Sequence, residues 1–428
     1  MTAATARNLL TLCAGHSNRC LCTRSSSRPA LFTIYRNSSN SFPHSRKTST
    51  MTLQSFPASF VRGGTSNGLV LNLKDLPSSD PTKWQPILSS AMGSPDSTGR
   101  QLNGVGSGVS STSKVCIVSE SAREDCDVDF TFVQVGIKDG KLDLAGNCGN
   151  MSSIVGPWAL NEGLLRTALQ TRKDENGNEE NFVNVRIFNT NTNKVIHAEC
   201  PVLEDGTYNP FGDYAIDGVP GTGSRITLKF IDPAGAKTGK ALPTGNPIDT
   251  IQLSDGTEVR ASLVDVANPG VFVLASDLGL PGDIEPTTLE AHQSILTRLE
   301  EIRQTGAKMM DMDPEAQTVP KIVLISKPEA EAVSSGIHIV CRALSMQQPH
   351  KAVPLTLALN LGAACRMPGT LPALTAVNAE GRESLTIAHA SGKLEVGSVF
   401  EDGQIESALL HRTARVLMKG DVFYSAQS

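Results

Sequence analysis

The sequence predicts an α+β fold of two pseudo-symmetric domains, each with a mostly antiparallel sheet wrapped around one central helix. The chain has 428 residues, which is enough for two domains of ordinary size. Its 37 glycines and 24 prolines favour strands and turns over a helical bundle. The third observation is the most informative: segments of the first half recur, in the same order, in the second half.

The repeat starts with two strand-like segments, ASFVRGGTSNGLVLNLKDLP from Ala58 and ASLVDVANPGVFVLASDLGL from Ala261. From Gly68 and Gly270 onward they align without a gap. A helix with one apolar side is expected after each segment, and an Asp-Pro pair resembling a cap opens the first one. The apolar residues of the two helices are Trp84, Ile87, Leu88 and Met92, and Leu289, Ile295, Leu296, Leu299 and Ile302.

A matched strand comes next, KVCIVS from Lys114 and KIVLIS from Lys321. Each half also has a loosely matched strand–turn–strand segment towards its end. Because a Gly- and Pro-rich linker occupies 233–244, we expect one domain at 51–232 and the other at 245–428.

Each half also contains a helical segment at the equivalent place. Cys148 lies 80 residues after Gly68, and His350 lies 80 residues after Gly270. MSSIVGPWAL follows the first residue and KAVPLTLALNLGAAC follows the second. We expect these two segments to be the central helices, with their N-termini directed into a cleft between the domains.

The first fifty residues differ from the rest of the chain. They contain six Arg, one Lys, nine Ser and no acidic residue, a composition typical of a mitochondrial transit peptide. A disordered tail without a targeting role is the alternative, and a start at Met51 would give a cytoplasmic form. The whole chain carries −5 and this segment carries +7, which leaves −12 on residues 51–428.

Several classes of partner and cofactor are disfavoured. No apolar run approaches the ~20 residues of a membrane span, and the acidic body does not suit nucleic acid. The sequence has no CxxC pair, HExxH motif or phosphate loop, so we expect no metal and no cofactor. The expected partner is a small molecule, with a homo-oligomer left open.

Cys148 stands in LAGNCGNMSS, between two Gly-Asn pairs and just before a helical segment. A helix N-terminus presents free N–H groups that bind carboxylates and favour the ionised form of a thiol. The position therefore suits proton exchange with a carbon acid. The alternative is a buried, inert cysteine, the usual fate of a free thiol.

Six segments together resemble the PrpF family of aconitate and 2-methylaconitate isomerases: FVRGGTSNG, GVGSGVSSTSKV, GNCGNMSS, VDVANPGVFV, TGKALPTGN and QQPHKAVPLT. The resemblance covers about 54–425. It implies a diaminopimelate-epimerase-like fold, in agreement with the repeat. It also implies cofactor-free movement of a proton, and hence of a double bond, on an unsaturated tricarboxylic acid.

The resemblance assigns residues as well. It implies that Lys114 and Cys148 are catalytic and that no residue binds a metal. The implied substrate-binding residues are Arg62, Gly64, Thr65, Ser66, Ser111, Thr112, Ser113, Asn147, Gly149, Asn150, Met151, Asn268, His350 and Lys351. Two positions depart from the usual motifs: Asn67 replaces a lysine, and Gly270 stands where cysteine often occurs.

Two alternatives are kept. An amino-acid racemase or epimerase of the same fold places one thiol in each half, but SMQQPHKA around His350 contains no cysteine. A noncatalytic binding protein would have lost pocket residues, whereas Arg62, Ser66, Lys114 and Cys148 are all present. The sequence does not identify the acid, because candidates that differ by a methyl group are separated by pocket volume.

Overall fold

The computed structural model describes residues 51–165, 168–173 and 179–427. The predicted transit peptide at 1–50 lies outside the described residues and stays a prediction. Within the described part, no helix combines the length and the apolar character that a membrane crossing requires.

The elements before the linker segment alternate short helices with strands. They are β1 (Met51–Gly63), β2 (Ser66–Asn72), α1 (Gln85–Met92), β3 (Lys114–Glu120), β4 (Val128–Val135), β5 (Leu142–Asp143), α2 (Gly149–Asn161), β6 (Gln170–Lys173), β7 (Glu179–Asn189), β8 (Lys194–Pro201) and β9 (Ile226–Ile231).

The elements after the linker segment follow a similar order. They are β10 (Asp249–Gln252), β11 (Glu258–Val266), β12 (Asn268–Leu274), α3 (Pro286–Ala291), α4 (Gln293–Met309), β13 (Lys321–Ser326), α5 (Ala330–Ser334), β14 (Ile339–Ser345), β15 (Gln348–Pro349), α6 (Leu355–Ala364), α7 (Leu371–Thr375), β16 (Ser384–His389), β17 (Gly392–Glu401), β18 (Gln404–Arg412) and β19 (Ala414–Gln427).

Strand pairing shows the predicted pseudo-symmetry. One series of strands runs β19-β1-β2-β3-β4-β7-β8-β9, and the other runs β10-β11-β12-β13-β14-β16-β17-β18. In each series the third and fourth strands are parallel, as are the fifth and sixth, and the other neighbours are antiparallel. The α+β fold with two matching halves is therefore confirmed. An antiparallel β9–β18 pair joins the two series.

Each series wraps around one central helix, α2 in the first and α6 in the second. α6 is apolar except at Thr356 and Asn360 and is buried along its whole length, as expected for a core helix. α2 is buried from Gly149 to Ala159. Side chains of both helices belong to one continuous apolar core, while α1 and α4 cover two smaller cores on the outer faces of the sheet.

The second central helix begins later than predicted. We expected its N-terminus near His350, but α6 begins at Leu355, after Pro354. A proline disfavours helical geometry in the residue before it, so Pro354 fits at the entry to a helix and not inside one. His350 directly follows β15, which ends at Pro349, and therefore lies outside the helix.

The last strand of the chain pairs with the first. β19 is antiparallel to β1 from Met51–Gln427 to Gly63–Ala414, with one bulge. β19 follows the linker in sequence, yet it lies in the sheet series whose other strands all precede the linker. The predicted domain boundaries, 51–232 and 245–428, stay a prediction.

We predict that the two ends of the chain differ in their importance for folding. Deletion of 414–427 removes the partner of β1 and leaves its N–H and C=O groups as a long open edge. We expect that variant to be insoluble or to lose its cooperative thermal transition. Deletion of 1–50 removes no residue of β1 and is expected to leave the melting temperature and activity near normal. Equal behaviour of the two truncations in calorimetry would contradict this prediction.

Candidate active site

Cys148 lies at the start of the central helix α2, as its sequence context predicted. It is the N-cap residue, and it is half-buried while the other five cysteines of the described chain are buried. No side chain caps the helix, and the described residues provide no acceptor for the N–H groups of Gly149, Asn150 and Met151. These groups and the helix dipole form a positive end that suits an anion or a thiolate.

The start of α6 packs directly against the start of α2. A Cβ at Gly149 would lie 2.9 Å from Leu355 Cδ2 and 3.2 Å from Thr356 Cγ2, so only glycine permits this approach. No side chain caps α6 either. Two positive helix ends therefore meet at one place, and an anion bound there would interact with both.

Asn268 holds this junction together. Its Nδ2 donates to the Asn147 carbonyl (2.6 Å) and to Thr356 Oγ1 (2.9 Å). Its Oδ1 accepts from the Asn147 N–H (3.2 Å). The backbone of Asn268 is fixed in turn by Asn360 of α6, whose Nδ2 donates to its carbonyl (2.9 Å). One buried asparagine thus ties the Cys148 loop to the second helix.

Lys114 is the first residue of β3, and it is buried. Its Nζ donates to Gln134 Oε1 (2.8 Å) and lies 5.0 Å from the centre of the Phe132 ring. No carboxylate among the described residues pairs with it. The ammonium is therefore held by a neutral amide and an aromatic face, which leaves its remaining N–H bonds for a ligand.

Lys321 is a site residue that the sequence reasoning missed. It opens β13 as Lys114 opens β3, and it is buried, with its Nζ donating to the Thr318 carbonyl. Burial, with a smaller contribution from the charge of Lys114, lowers the pKa of Lys321 to about 8, and Cys148 opposes the shift. The two lysines and the thiol therefore lie in one electrostatic neighbourhood. The matched strands KVCIVS and KIVLIS were a sequence signal for this residue.

His350 belongs to the same neighbourhood. Burial, together with smaller contributions from the charges of Lys114 and Lys321, lowers the pKa of His350 to about 4. The imidazole is therefore neutral at pH 7. Its Nδ1 accepts from the Ala352 N–H (3.1 Å), which assigns the ring proton to Nε2 and makes that atom a hydrogen-bond donor.

The β1–β2 turn packs against α2 through Asn150. Thr65 N–H donates to Asn150 Oδ1 (3.3 Å), and Asn150 Nδ2 donates to Thr65 Oγ1 (3.1 Å). Gly64 has φ of 53°, and a Cβ there would lie 2.1 Å from Asn150 Oδ1. The glycine of this turn is thus required by both backbone conformation and space.

The Ser111–Ser113 turn precedes Lys114 and is held by two glutamines. Gln134 Nε2 donates to the Ser113 carbonyl (2.8 Å), and Gln101 Nε2 donates to Ser113 Oγ (2.7 Å). Ser113 Oγ itself donates to the Val135 carbonyl (2.9 Å). The Ser113 hydroxyl proton is thus used inside the protein, while Ser111 and Thr112 are half-buried.

The remaining predicted residues lie in different surroundings. Arg62 Nη1 donates to the Gly64 and Thr413 carbonyls (both 2.9 Å), and burial, with a smaller contribution from the charge of Arg415, lowers the pKa of Arg62. Ser66 is buried at the start of β2, Met151 is fully buried in the core, and Lys351 is exposed. The roles assigned to these residues stay predictions. Within the described part of the chain, no cluster of His, Cys, Asp or Glu side chains is arranged to hold a metal ion.

A second residue missed from the sequence is Arg412, at the end of β18. Its Nε donates to Asn150 Oδ1 (3.2 Å), across 262 residues of sequence. No local pattern marks it, because only the β9–β18 pairing and the β18–β19 turn bring it to the start of α2.

We predict that Asn268→Ala destabilises the protein and impairs the site together. The change leaves the Asn147 N–H and carbonyl and the Thr356 hydroxyl without their partner in a buried place. At ~1–3 kcal/mol for each of these three unsatisfied groups, we expect a loss of at least ~3 kcal/mol in the free energy of urea unfolding. The exposed Asn103→Ala is the control and should change stability by less than ~0.5 kcal/mol. A cost for Asn268→Ala no greater than that of the control would show that Asn268 does not hold the junction.

Comparisons with known proteins identify the family of the chain. The family described as PrpF protein matches residues 53–425. 3-Methylitaconate isomerase of Eubacterium barkeri is 37% identical over 86% of this chain and 96% of its own. 2-Methyl-aconitate isomerase of Shewanella oneidensis is 35% identical over 85% and 96%. The crystal structure of a methylitaconate-delta-isomerase superposes with a TM-score of 0.67 at 35% identity, covering 87% of this chain and 96% of that one. The chain therefore belongs to the PrpF family.

Proposed function

We propose that this chain is a cofactor-independent isomerase that moves a proton, and with it a carbon–carbon double bond, on an unsaturated tricarboxylic acid. The isomerase class follows from the family and from relatives named as 3-methylitaconate and 2-methyl-aconitate isomerases. One observation supports the reaction most directly. Cys148 is the N-cap of α2, where two uncapped helix N-termini meet, and Lys114 and Cys148 both act by charge on the buried Lys321.

The reaction needs a base, an acid and a site for developing negative charge. The base removes a proton from a carbon α or γ to a carboxylate. The electron pair of that C–H bond moves into the allylic system and gives an extended enediolate. The acid then adds a proton at the other end, so the double bond is displaced and the atoms balance. Lys114 and Cys148 are our proton-transfer pair.

The charge of the enediolate is matched by the junction of α2 and α6. A substrate carboxylate placed there would accept hydrogen bonds from the free N–H groups at the start of α2. Buried Lys114 and Lys321 add positive charge in a region of low dielectric. Since these groups are already in place before the reaction, they favour the charged intermediate over the neutral acid.

A two-thiol racemase is disfavoured by the positions of the cysteines. In the second half, Cys365 is the C-cap of α6, at the opposite end from the junction, and Cys341 is buried in β14. Burial raises the pKa of Cys341 to about 12 and disfavours its thiolate. Among the described residues, the start of α6 therefore has no thiol that matches Cys148.

We predict isomerisation of at least one of the tricarboxylic acids cis-aconitate, trans-aconitate and 2-methylaconitate, in a panel that includes the dicarboxylic acid 3-methylitaconate for comparison. In D₂O, the proton NMR signal should be lost at the carbon that forms the new C–H bond. Deuterium is added there because the transferred proton passes through exchangeable groups. Activity should persist after dialysis against EDTA. If a folded preparation leaves every acid of the panel unchanged and without deuterium, the proposed function is wrong.

We predict a sharp contrast among single variants. Lys114→Ala and Cys148→Ala should each lower turnover by about 10²–10⁴, the usual contribution of a positioned acid or base, while melting temperatures stay near normal. Cys148→Ser keeps a small hydroxyl that ionises with difficulty, so it should lose deuterium exchange more than substrate binding.

Cys116→Ala is the matched control. Cys116 lies in β3, as Lys114 does, but it is fully buried, and burial raises its pKa well above the usual range. Its turnover should stay near wild type. Wild-type turnover in Cys148→Ala would instead make the thiol a helix-entry residue only. In that case Lys114, with the hydroxyl of Ser66 or Ser113, would have to carry out both transfers.

A further inference from the structure

Arg412 is buried without a charged partner. It is 6% exposed, and the titratable side chains coupled to it by charge are Tyr214, His389 and His411. Burial raises the pKa of Tyr214 and lowers the pKa of both histidines, that of His389 to about 4, so none of the three carries a negative charge at pH 7. The guanidinium remains ionised, since burial lowers its pKa only to about 10. Its charge is therefore not balanced by any group in the described part of the chain.

Two other buried arginines show what a structural guanidinium looks like in this protein. Arg303 forms an ion pair with Glu300 (2.7 Å) and donates to two carbonyls. Arg342 uses its Nε, Nη1 and Nη2 on three carbonyls. Arg412 uses only Nε, on Asn150, and Nη1, on the His411 carbonyl (2.9 Å). No described residue accepts from its Nη2, and that atom is not among the enclosed polar atoms that lack a partner. Nη2 is therefore not fully enclosed and has no acceptor among the described residues.

The position of Arg412 connects it to the site. Asn150 is the second residue of α2, two residues after Cys148. The Asn150 amide accepts from Arg412 with the same oxygen that accepts from the Thr65 N–H, so the guanidinium is held at the start of the helix. A Cβ on Gly64 would lie 3.1 Å from Arg412 Cδ, so the β1–β2 turn closes over the arginine stem. The head group is fixed from two sides and left open at Nη2.

We propose that Arg412 binds a second carboxylate of the substrate, separate from the carboxylate at the α2–α6 junction, with Asn150 fixing the orientation of its guanidinium. This rests on the proposed function. A planar guanidinium recognises a carboxylate through parallel N–H donors. The residue thus selects acids with a carboxylate beyond the reacting group and explains why a buried positive charge is placed here without a protein anion.

The test measures binding without chemistry. Tricarballylate is saturated and cannot isomerise, and glutarate is its analogue without the central carboxylate; methylsuccinate lacks a terminal one. Dissociation constants of the three acids are measured by calorimetry for wild type, Arg412→Met, Arg412→Lys and the control Arg415→Met. Arg415 lies three residues further on and is exposed. Melting temperatures are recorded for each variant.

We expect Arg412→Met to weaken tricarballylate about 10–100-fold, the loss of one charge-assisted pair. At least one of the two dicarboxylates should be weakened less than threefold, because it already lacks the carboxylate that Arg412 holds. The affinity of Arg412→Lys for tricarballylate should lie between those of wild type and Arg412→Met. Lysine keeps the positive charge but lacks the two parallel N–H donors of the guanidinium. Arg412→Lys also replaces Arg412→Met in the comparison if the latter does not fold. Arg415→Met should match wild type for all three acids.

Equal weakening of all three acids would overturn the proposal, because Arg412 would then support the start of α2 without contacting a particular carboxylate. Unchanged binding of tricarballylate would overturn it as well. The isomerase assay separates this result from failure of the proposed function. Isomerisation by wild type together with Arg412-independent binding refutes the arginine subsite alone. Arg412-dependent binding without isomerisation of any acid refutes the reaction and supports the subsite.

Discussion

The contact between the first turns of α2 and α6 is the constraint on which the site depends. Gly149 allows the two helix ends to touch, and Asn268 fixes them with three hydrogen bonds. Two positive ends at this distance repel each other, and two buried lysines add to the repulsion. The surrounding fold must therefore hold the ends together until an anion arrives. A site of this kind favours anions in general, so selection among acids must come from groups further out.

The fold explains how such an arrangement is kept rigid. Both central helices are enclosed by strands, and their apolar side chains share one core. Asn360 enters this core and donates both N–H bonds to carbonyls of β11 and β12, while its Oδ1 has no partner among the described residues. Displacing either helix would break buried hydrogen bonds and open cavities at once. The apolar packing and the buried hydrogen bonds of the two helices therefore offset the electrostatic repulsion between their N-termini.

Much of this fold could be predicted because a duplication doubles the evidence for each element. The strands beginning at Lys114 and Lys321, the central helix at Cys148 and the two matching halves all followed from periodicity and spacing. The start of the second helix was predicted too early, because spacing was given more weight than the effect of Pro354 on local geometry. Lys321 was within reach of the same alignment, but a buried lysine resembles a surface lysine in sequence. Arg412 was out of reach, since its place depends on a strand pair between distant segments.

The pairing of β19 with β1 also determines when the fold can be completed. The residues that form most of the first sheet series leave the ribosome long before 414–427, yet β1 has no outer neighbour until that last strand emerges. During synthesis the first half therefore exposes an unsatisfied strand edge, a known starting point for misassembly. Chaperone protection of this nascent edge would matter more than protection of the second half, whose outer strand β10 is made just before its partner β11. Completion of the first series therefore waits for the fourteen residues of β19, which pair with β1.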